Sequence, residues 1–97
     1  MRIVVLGVTG MLGNAVFRTL TADPEHEVWG TLRDEAGKSF FRESTRQRLK
    51  SGIDVLNRHR LTTLLEKMRP EVVINCTGLV KQLSTANDPL LVLPINA

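Results

Sequence analysis

The stretch that decides the fold is Met1-Arg-Ile-Val-Val-Leu-Gly7-Val-Thr-Gly10-Met-Leu-Gly13, at the start of the printed sequence. An apolar, β-branched run ends at Gly7, and two further glycines follow at intervals of three. A helical pattern begins among these glycines, because Leu12, Val16 and Leu20 recur at every fourth position. This order is typical of a strand, a tight phosphate-binding turn and the N-terminus of a helix.

The rest of the chain alternates apolar strands with helices. The predicted strands cover residues 2–6, 28–32, 52–55 and 71–75. The predicted helices cover residues 11–22, 58–68 and 89–97, with a further short helix within 34–48. Alternation of this kind favours an α/β fold, a Rossmann-like doubly wound parallel sheet with about four strands.

Composition excludes several classes of protein. The 97 residues are 42% apolar and 24% charged, as in ordinary globular domains, and no apolar run is long enough to span a membrane. The net charge of +3 comes with one tryptophan and three phenylalanines, without aromatic–basic interleaving, so nucleic acid is not an expected partner. The single cysteine, Cys76, cannot form an intrachain disulfide, and a cytoplasmic location is expected.

Each glycine of the opening motif has a geometric reason. Gly7 permits a sharp turn, Gly10 lets the backbone approach a pyrophosphate, and Gly13 lets the helix pack closely on the strand. The helix N-terminus adds unpaired amides and a partial positive charge. These features predict a dinucleotide, NAD or NADP. The further phosphate contacts are expected from Thr9, Met11 and Leu12.

The end of the second predicted strand bears on the choice of cofactor. NAD-specific sites usually place an acid there for the ribose hydroxyls, whereas NADP sites use arginine for the 2′-phosphate. Leu32 stands at the position of the acid and Arg33 follows it. The planar guanidinium suits a phosphate, which favours NADP. NAD stays open because Asp34 could bind the ribose or pair with Arg33.

The Gly-x-x-Gly-x-x-Gly spacing resembles that of the extended short-chain dehydrogenase/reductase family. Its members are NAD(P)-dependent epimerases, dehydratases and reductases, and many act on nucleotide sugars. The resemblance extends to the stretch Ser51-Gly-Ile-Asp54-Val55, which is similar to the family's third strand. It implies that Asp54 accepts a hydrogen bond from the adenine amino group and that the Val55 backbone contacts adenine. A helix cap is the alternative role for Asp54.

The stretch Pro70-Glu-Val-Val-Ile-Asn-Cys-Thr-Gly78 resembles the family's fourth strand, in particular its dTDP-4-dehydrorhamnose reductase branch. Ile95-Asn-Ala97 resembles a Val-Asn-Ala step in the helix that follows in that branch. The cofactor residues implied here are Asn75, Cys76, Thr77, Gly78 and Asn96. Asn75 could equally cap the strand end, and Asn96 could be an ordinary helix residue. Cys76 has no basic partner nearby, so we interpret it as a packed side chain rather than a nucleophile.

The family's Tyr-x-x-x-Lys pair is missing, because the chain contains no tyrosine. His26 and His59 are isolated, so no metal site is predicted. Residues 1–97 are therefore expected to be the N-terminal, cofactor-binding part of a longer Rossmann domain. The full-length protein would act on a nucleotide sugar, and the chain alone would be inactive and self-associate. A non-catalytic NAD(P)-sensing module and an unrelated flavodoxin-like domain are the alternatives.

Overall fold

The computed structural model describes residues 1–77 and the backbone of residues 91–94. The strands are β1 (Arg2–Leu6), β2 (Glu27–Thr31), β3 (Leu49–Lys50), β4 (Val72–Asn75) and β5 (Leu91–Pro94). The helices are α1 (Met11–Thr21), α2 (Glu43–Arg46), α3 (Arg58–Met68) and a 3₁₀ segment, Glu35–Phe40. Among the described residues the strands form one parallel sheet in the order β3-β2-β1-β4-β5.

The central strand β1 is covered on both faces of the sheet, as its uninterrupted apolar run predicts. Ile3 and Val5 belong to a core cluster with Phe17 of α1. Val4 and Leu6 belong to a second cluster with Leu61 and Leu65 of α3. The two helices therefore lie on opposite faces of the sheet, which confirms the doubly wound, Rossmann-like architecture.

The third strand lies earlier in the chain than predicted, so the assignment of residues 52–55 to a strand is wrong. β3 comprises only Leu49–Lys50, which pair with Gly30 and Thr31 of β2. The strand cannot continue because Gly52 has a φ of +74°, outside the extended region. Beyond it the chain turns, and the Asn57 amide donates to the Asp54 carbonyl at 2.9 Å. Asp54 and Val55 consequently lie in a turn.

The prediction of a helix from Pro89 to the end of the chain is also wrong for residues 91–94, and its other residues lie outside the described ones. Leu91–Pro94 form β5, whose residues pair in parallel register with Val72–Asn75. The continuous apolar sequence of this segment suits a strand within a parallel sheet, and proline opposes a helix. β5 is therefore the fifth strand of the described sheet. The predictions for Gly78 and Asn96 lie outside the described residues.

Candidate dinucleotide-binding site

The turn after β1 is built around Gly7, which has a φ of +79°. A Cβ atom at this position would lie 2.8 Å from Cγ2 of Thr77, just beyond β4. The amides of Gly7 and Val8 both donate to the Thr31 carbonyl of β2, at 3.2 and 3.0 Å. The turn is thus fixed between the carboxyl ends of β2 and β4, and only glycine fits there without strain.

Gly13 brings α1 against this turn. It is buried, and a Cβ atom built on it would overlap the carbonyl oxygen of Gly7. The first helical hydrogen bond runs from the Asn14 amide to the Gly10 carbonyl at 2.8 Å. The close approach of helix and turn that the glycine spacing predicts is therefore present.

The amino end of α1 is open in front of Gly10. Among the described residues, a Cβ atom at Gly10 would meet only the Gly7 carbonyl oxygen, at 3.8 Å. Gly10 is the N-cap residue, no side chain caps the helix and the first turn carries no acid. Thr9 and Met11 are exposed and Leu12 is half-buried. The first-turn amides and the helix dipole therefore face a space in which an anion would be stabilised.

The carboxyl end of β4 forms the side of the site next to the glycine turn. Asn75 is buried, and its Oδ1 accepts from the Thr77 amide at 3.0 Å and the Thr77 hydroxyl at 2.5 Å. Cys76 donates its amide to the Leu6 carbonyl at 2.9 Å, and burial raises the pKa of its half-buried thiol. Asn75 thus caps the strand end, and Thr77 is placed against Gly7.

Beyond β2 the chain places one side chain inward and the next outward. Leu32, at the position where NAD-specific sites place an acid, is buried in the core. Arg33 is 76% exposed, and its Nη2 lies 3.7 Å from Oδ2 of Asp54. Asp54 also accepts the Leu56 amide on Oδ1 at 2.9 Å, while Val55 packs against the α3 side of the core. Arg33 and Asp54 are therefore neighbours at the carboxyl ends of β2 and β3.

Three residues at this end of the sheet were not identified from the sequence. The Ser51 hydroxyl donates to the Glu35 carboxylate, and the Lys38 ammonium lies 3.1 Å from that carboxylate. The hydrogen bond from Ser51 and then the one from Lys38 lower the pKa of Glu35. The spacing of Glu35 and Lys38, three residues apart, is the sequence signal for their pair. Nothing local signals the contact with Ser51.

A metal site is absent from residues 1–77. No group of His, Cys, Asp and Glu side chains there could hold a metal ion. His26 instead lies 3.5 Å from Asp23, three residues earlier in the sequence. No helix in the described part of the chain is long and apolar enough to cross a membrane.

The NAD dependent epimerase/dehydratase family matches residues 3–97. The chain belongs to this family. A search of curated proteins finds no significant match.

Solved structures share the fold. The enzyme WbmG of Bordetella bronchiseptica, in complex with NAD, has a TM-score of 0.63 at 20% identity, over 91% of this chain and 28% of its own. UDP-glucose 4-epimerase of Thermotoga maritima, with UDP-glucose, has a TM-score of 0.59 at 22% identity, over 89% of this chain and 26% of its own. WbmG is also known in complex with NAD and UDP. The chain spans about a quarter of the length of these enzymes.

Proposed function

We propose that residues 1–97 form the NADP(H)-binding part of an oxidoreductase that acts on a nucleotide-linked keto sugar. The open amino end of α1, bordered by Gly7, Gly10 and Gly13, carries the proposal. It presents amides and a helix dipole to a pyrophosphate without a competing cap or acid. Membership of an NAD-dependent family supports the dinucleotide. The relatives solved with UDP-glucose and with UDP support the class of substrate.

The residues of this chain would contact the adenosine and pyrophosphate groups of the cofactor and so hold it in place. The α1 amides would hold the pyrophosphate, and the strand ends at Asn75, Cys76 and Thr77 would lie beneath the adjoining ribose. Asp54 and Val55 would contact the adenine. When bound, the cofactor supplies a hydride for the keto carbon, and the carbonyl oxygen takes up a proton. By resemblance, a Tyr-x-x-x-Lys pair would supply that proton, and this chain, which has no tyrosine, would be inactive alone.

The preference for NADP rests on Arg33. Its guanidinium is exposed at the end of β2. Within the described part of the chain it lies 3.7 Å from the Asp54 carboxylate, which is a weak ion pair. Loss of a charge-assisted contact to the 2′-phosphate would weaken NADPH binding about 10- to 30-fold, from a typical loss of about 1.5–2 kcal/mol. NADH binding would change less than about twofold, because it carries no such phosphate.

Calorimetric titration of the protein with NADPH and NADH tests this preference. The variant is Arg33→Ala, and Arg42→Ala is the matched control because it removes the same charge from another exposed position. We expect Arg33→Ala to lose NADPH affinity selectively and Arg42→Ala to keep it. Equal losses for both cofactors would contradict the NADP assignment, and no binding of either by the wild type would contradict the dinucleotide site itself.

Within the family, we propose the dTDP-4-dehydrorhamnose reductase branch, because the run Pro70–Asn75 and the small residues after it resemble that branch. The full-length gene product should oxidise NADPH when dTDP-4-dehydrorhamnose is added, and UDP-glucose should not replace that substrate. We also propose a cytoplasmic location, in keeping with the single cysteine.

A second candidate is a non-catalytic module of the same fold that senses the NADP(H) redox ratio. Such a module would need the cofactor site but not the acid/base pair. A Tyr-x-x-x-Lys pair further along the gene product, with reductase activity, would favour the enzyme. Cofactor binding without turnover of any nucleotide sugar would favour the sensor.

A further inference from the structure

A cavity of about 500 Å³ lies at the amino ends of the strands, at the opposite end of the sheet from the glycine turn. Its walls come from residues that begin or shortly precede four neighbouring strands, in the order β3, β2, β1 and β4. Its size is that of a site for a small ligand. The charged residues that line it are Arg2, Glu25, Glu27, Arg48, Arg69 and Glu71.

Ion pairs and hydrogen bonds join the walls of this cavity to one another. The Glu27 carboxylate lies 2.5 Å from Nε of Arg2 and 3.3 Å from Nη1 of Arg48. Nη1 of Arg2 donates to the Met68 carbonyl at 2.7 Å, and the Arg2 amide donates to the Glu71 carboxylate at 3.4 Å. The side chains from the four strands therefore form one connected network, and a carboxylate already binds between two of its arginines.

Two nitrogen atoms in the walls lack a hydrogen-bond partner. Among the described residues, Nη1 of Arg48 and Nδ1 of His26 are buried and form no hydrogen bond. The Arg48 atom is close to Glu27, as given above, but is not aligned to donate to it. His26, which also lines the cavity, has its other ring nitrogen 3.5 Å from Asp23. Buried polar groups are normally paired, so these two atoms indicate a further partner at this place.

Arg69 contributes a cation from a conformation that favours glycine. It is the C-cap of α3, with φ of 46° and ψ of 57°, and it is the one described non-glycine residue with a positive φ. Its guanidinium takes part in none of the ion pairs found in the described part of the chain. Strained residues of this kind are concentrated at functional sites. Arg69 therefore offers the cavity a charge that no described carboxylate neutralises.

We propose that this cavity binds a small phosphate-bearing molecule, with Arg48 and Arg69 as its main cations. The site is separate from the proposed cofactor site and does not depend on it. Three arginines and the amino terminus exceed the three glutamates in charge, and Glu27 is already paired with two arginines. A tetrahedral phosphate dianion presents oxygens to guanidinium groups that come from different strands, whereas a planar carboxylate matches a single guanidinium.

Trp29 provides a readout at the cavity itself. It is the single tryptophan of the chain, and the Arg48 guanidinium lies 4.9 Å from its ring centroid. Titration of the full chain with inorganic phosphate, at constant ionic strength, should therefore change the Trp29 emission saturably. Succinate should bind about fivefold or more weakly. Equal affinity for succinate would overturn the choice of phosphate, and no saturable response, or the same response to chloride, would overturn the site.

Arg69→Asn tests the cation without disturbing the backbone, because asparagine tolerates the left-handed conformation. It should weaken phosphate binding about fivefold or more and leave the urea midpoint of unfolding unchanged or higher. Lys67→Gln is the control, since it removes an exposed cation from α3 that is not among the residues lining the cavity. It should keep the phosphate affinity within about twofold. Wild-type affinity in Arg69→Asn would overturn the role of Arg69.

Two further variants exclude phosphate binding elsewhere. Lys50 lies 5.2 Å from the Trp29 ring centroid but is not among the residues lining the cavity, so Lys50→Gln should keep the phosphate affinity. Gly10→Ala alters the amino end of α1, at the other end of the sheet, and should also keep it. A fivefold loss in Lys50→Gln would place the phosphate at the β3 edge, and a similar loss in Gly10→Ala would place it at the glycine turn. Either loss would overturn the proposed cavity site.

Discussion

At the scale of single residues, a substitution at Gly10 should affect cofactor binding with little effect on the stability of the fold. The Gly10 φ of −72° is accessible to alanine, and within the described part of the chain the nearest atom to an added Cβ lies at 3.8 Å. Gly10→Ala should therefore change the free energy of unfolding by less than about 1 kcal/mol, as a weaker N-cap is offset by a less flexible unfolded chain. The new methyl group would project into the space proposed for the pyrophosphate. NADPH affinity, measured by calorimetry, should fall about tenfold or more.

Gly13→Ala is the comparison variant, because it should disturb the fold as well as cofactor binding. Its Cβ would overlap the Gly7 carbonyl oxygen, so it should lower both the melting temperature and the affinity for NADPH. A Gly10→Ala protein that binds NADPH as tightly as the wild type would show that the pyrophosphate does not approach the amino end of α1.

Glu27, the first residue of β2, pairs with two arginines at the amino ends of the neighbouring strands β1 and β3. Its carboxylate lies 2.5 Å from Nε of Arg2 and 3.3 Å from Nη1 of Arg48. The hydrogen bond from Arg2, with further contributions from its charge and from Arg48, lowers the pKa of Glu27 below its ordinary value of 4.5. A lowered pKa in the folded state means that this contribution to stability is complete above pH 4.5 and is lost as the pH falls through the folded-state value.

Urea denaturation between pH 3 and pH 7 measures this contribution. The wild type should lose stability on acidification more steeply than Glu27→Gln, which has no carboxylate to protonate at this position. Glu66→Gln removes an exposed carboxylate from α3 and serves as the control. Parallel pH profiles for the wild type and Glu27→Gln would contradict a stabilising role for the ionised pair.

At the scale of the elements, α3 begins with a side-chain cap. Oδ1 of Asn57 accepts from the Arg60 amide at 3.2 Å, while Asp54 caps the preceding turn through the Leu56 amide. Asn57→Ala should therefore reduce the free energy of unfolding by about 1 kcal/mol, whereas Asn57→Asp, which keeps an acceptor, should stay within about 0.5 kcal/mol of the wild type. Urea denaturation at pH 7 measures both. Equal stabilities for the alanine and aspartate variants would mean that the cap does not contribute.

The elements that the sequence predicts well are those with a complete local pattern. β1, α1, α3 and β4 lie within one residue of their predicted bounds, because apolar periodicity, Asn57 and Pro70 mark them locally. β3 lacks such a signal, and the short apolar run of β5 is compatible with a helix as well as with a strand. The two residues of β3 are extended because they pair with Gly30 and Thr31 of β2, a contact between distant parts of the chain.

Gly30, within β2, is another residue whose role depends on contacts between distant parts of the chain. From sequence alone it weakens the prediction of β2, because glycine is unfavourable in strands. In the structure a Cβ atom there would lie 2.6 Å from Cγ1 of Val8 and 3.0 Å from Cε1 of Phe17. Glycine is therefore what allows α1 to pack on the sheet. The contact between Ser51 and Glu35 escaped prediction for a similar reason, since the two residues are sixteen positions apart.

At the scale of the whole molecule, the two edges of the sheet differ. β3 is only two residues long, and cations beside it cover Trp29: the Arg48 guanidinium and the Lys50 ammonium lie 4.9 and 5.2 Å from the ring centroid. Short edge strands with flanking cations resist pairing with another chain. β5 is the other edge within the described residues, and it is a four-residue strand of apolar sequence that pairs with β4. We therefore propose that self-association of this chain occurs at the β5 edge.

Gel filtration with light scattering should show a mass that rises with protein concentration. Val92→Lys introduces a charge into the middle of β5 and should shift the distribution towards monomer, because a lysine on an edge strand opposes pairing with a second chain. Thr63→Lys makes a comparable change on the exposed surface of α3 and should behave as the wild type. Equal effects of the two lysines would mean that net charge, rather than the β5 edge, controls association. A wild-type chain that is folded and monomeric at every concentration would rule out self-association altogether.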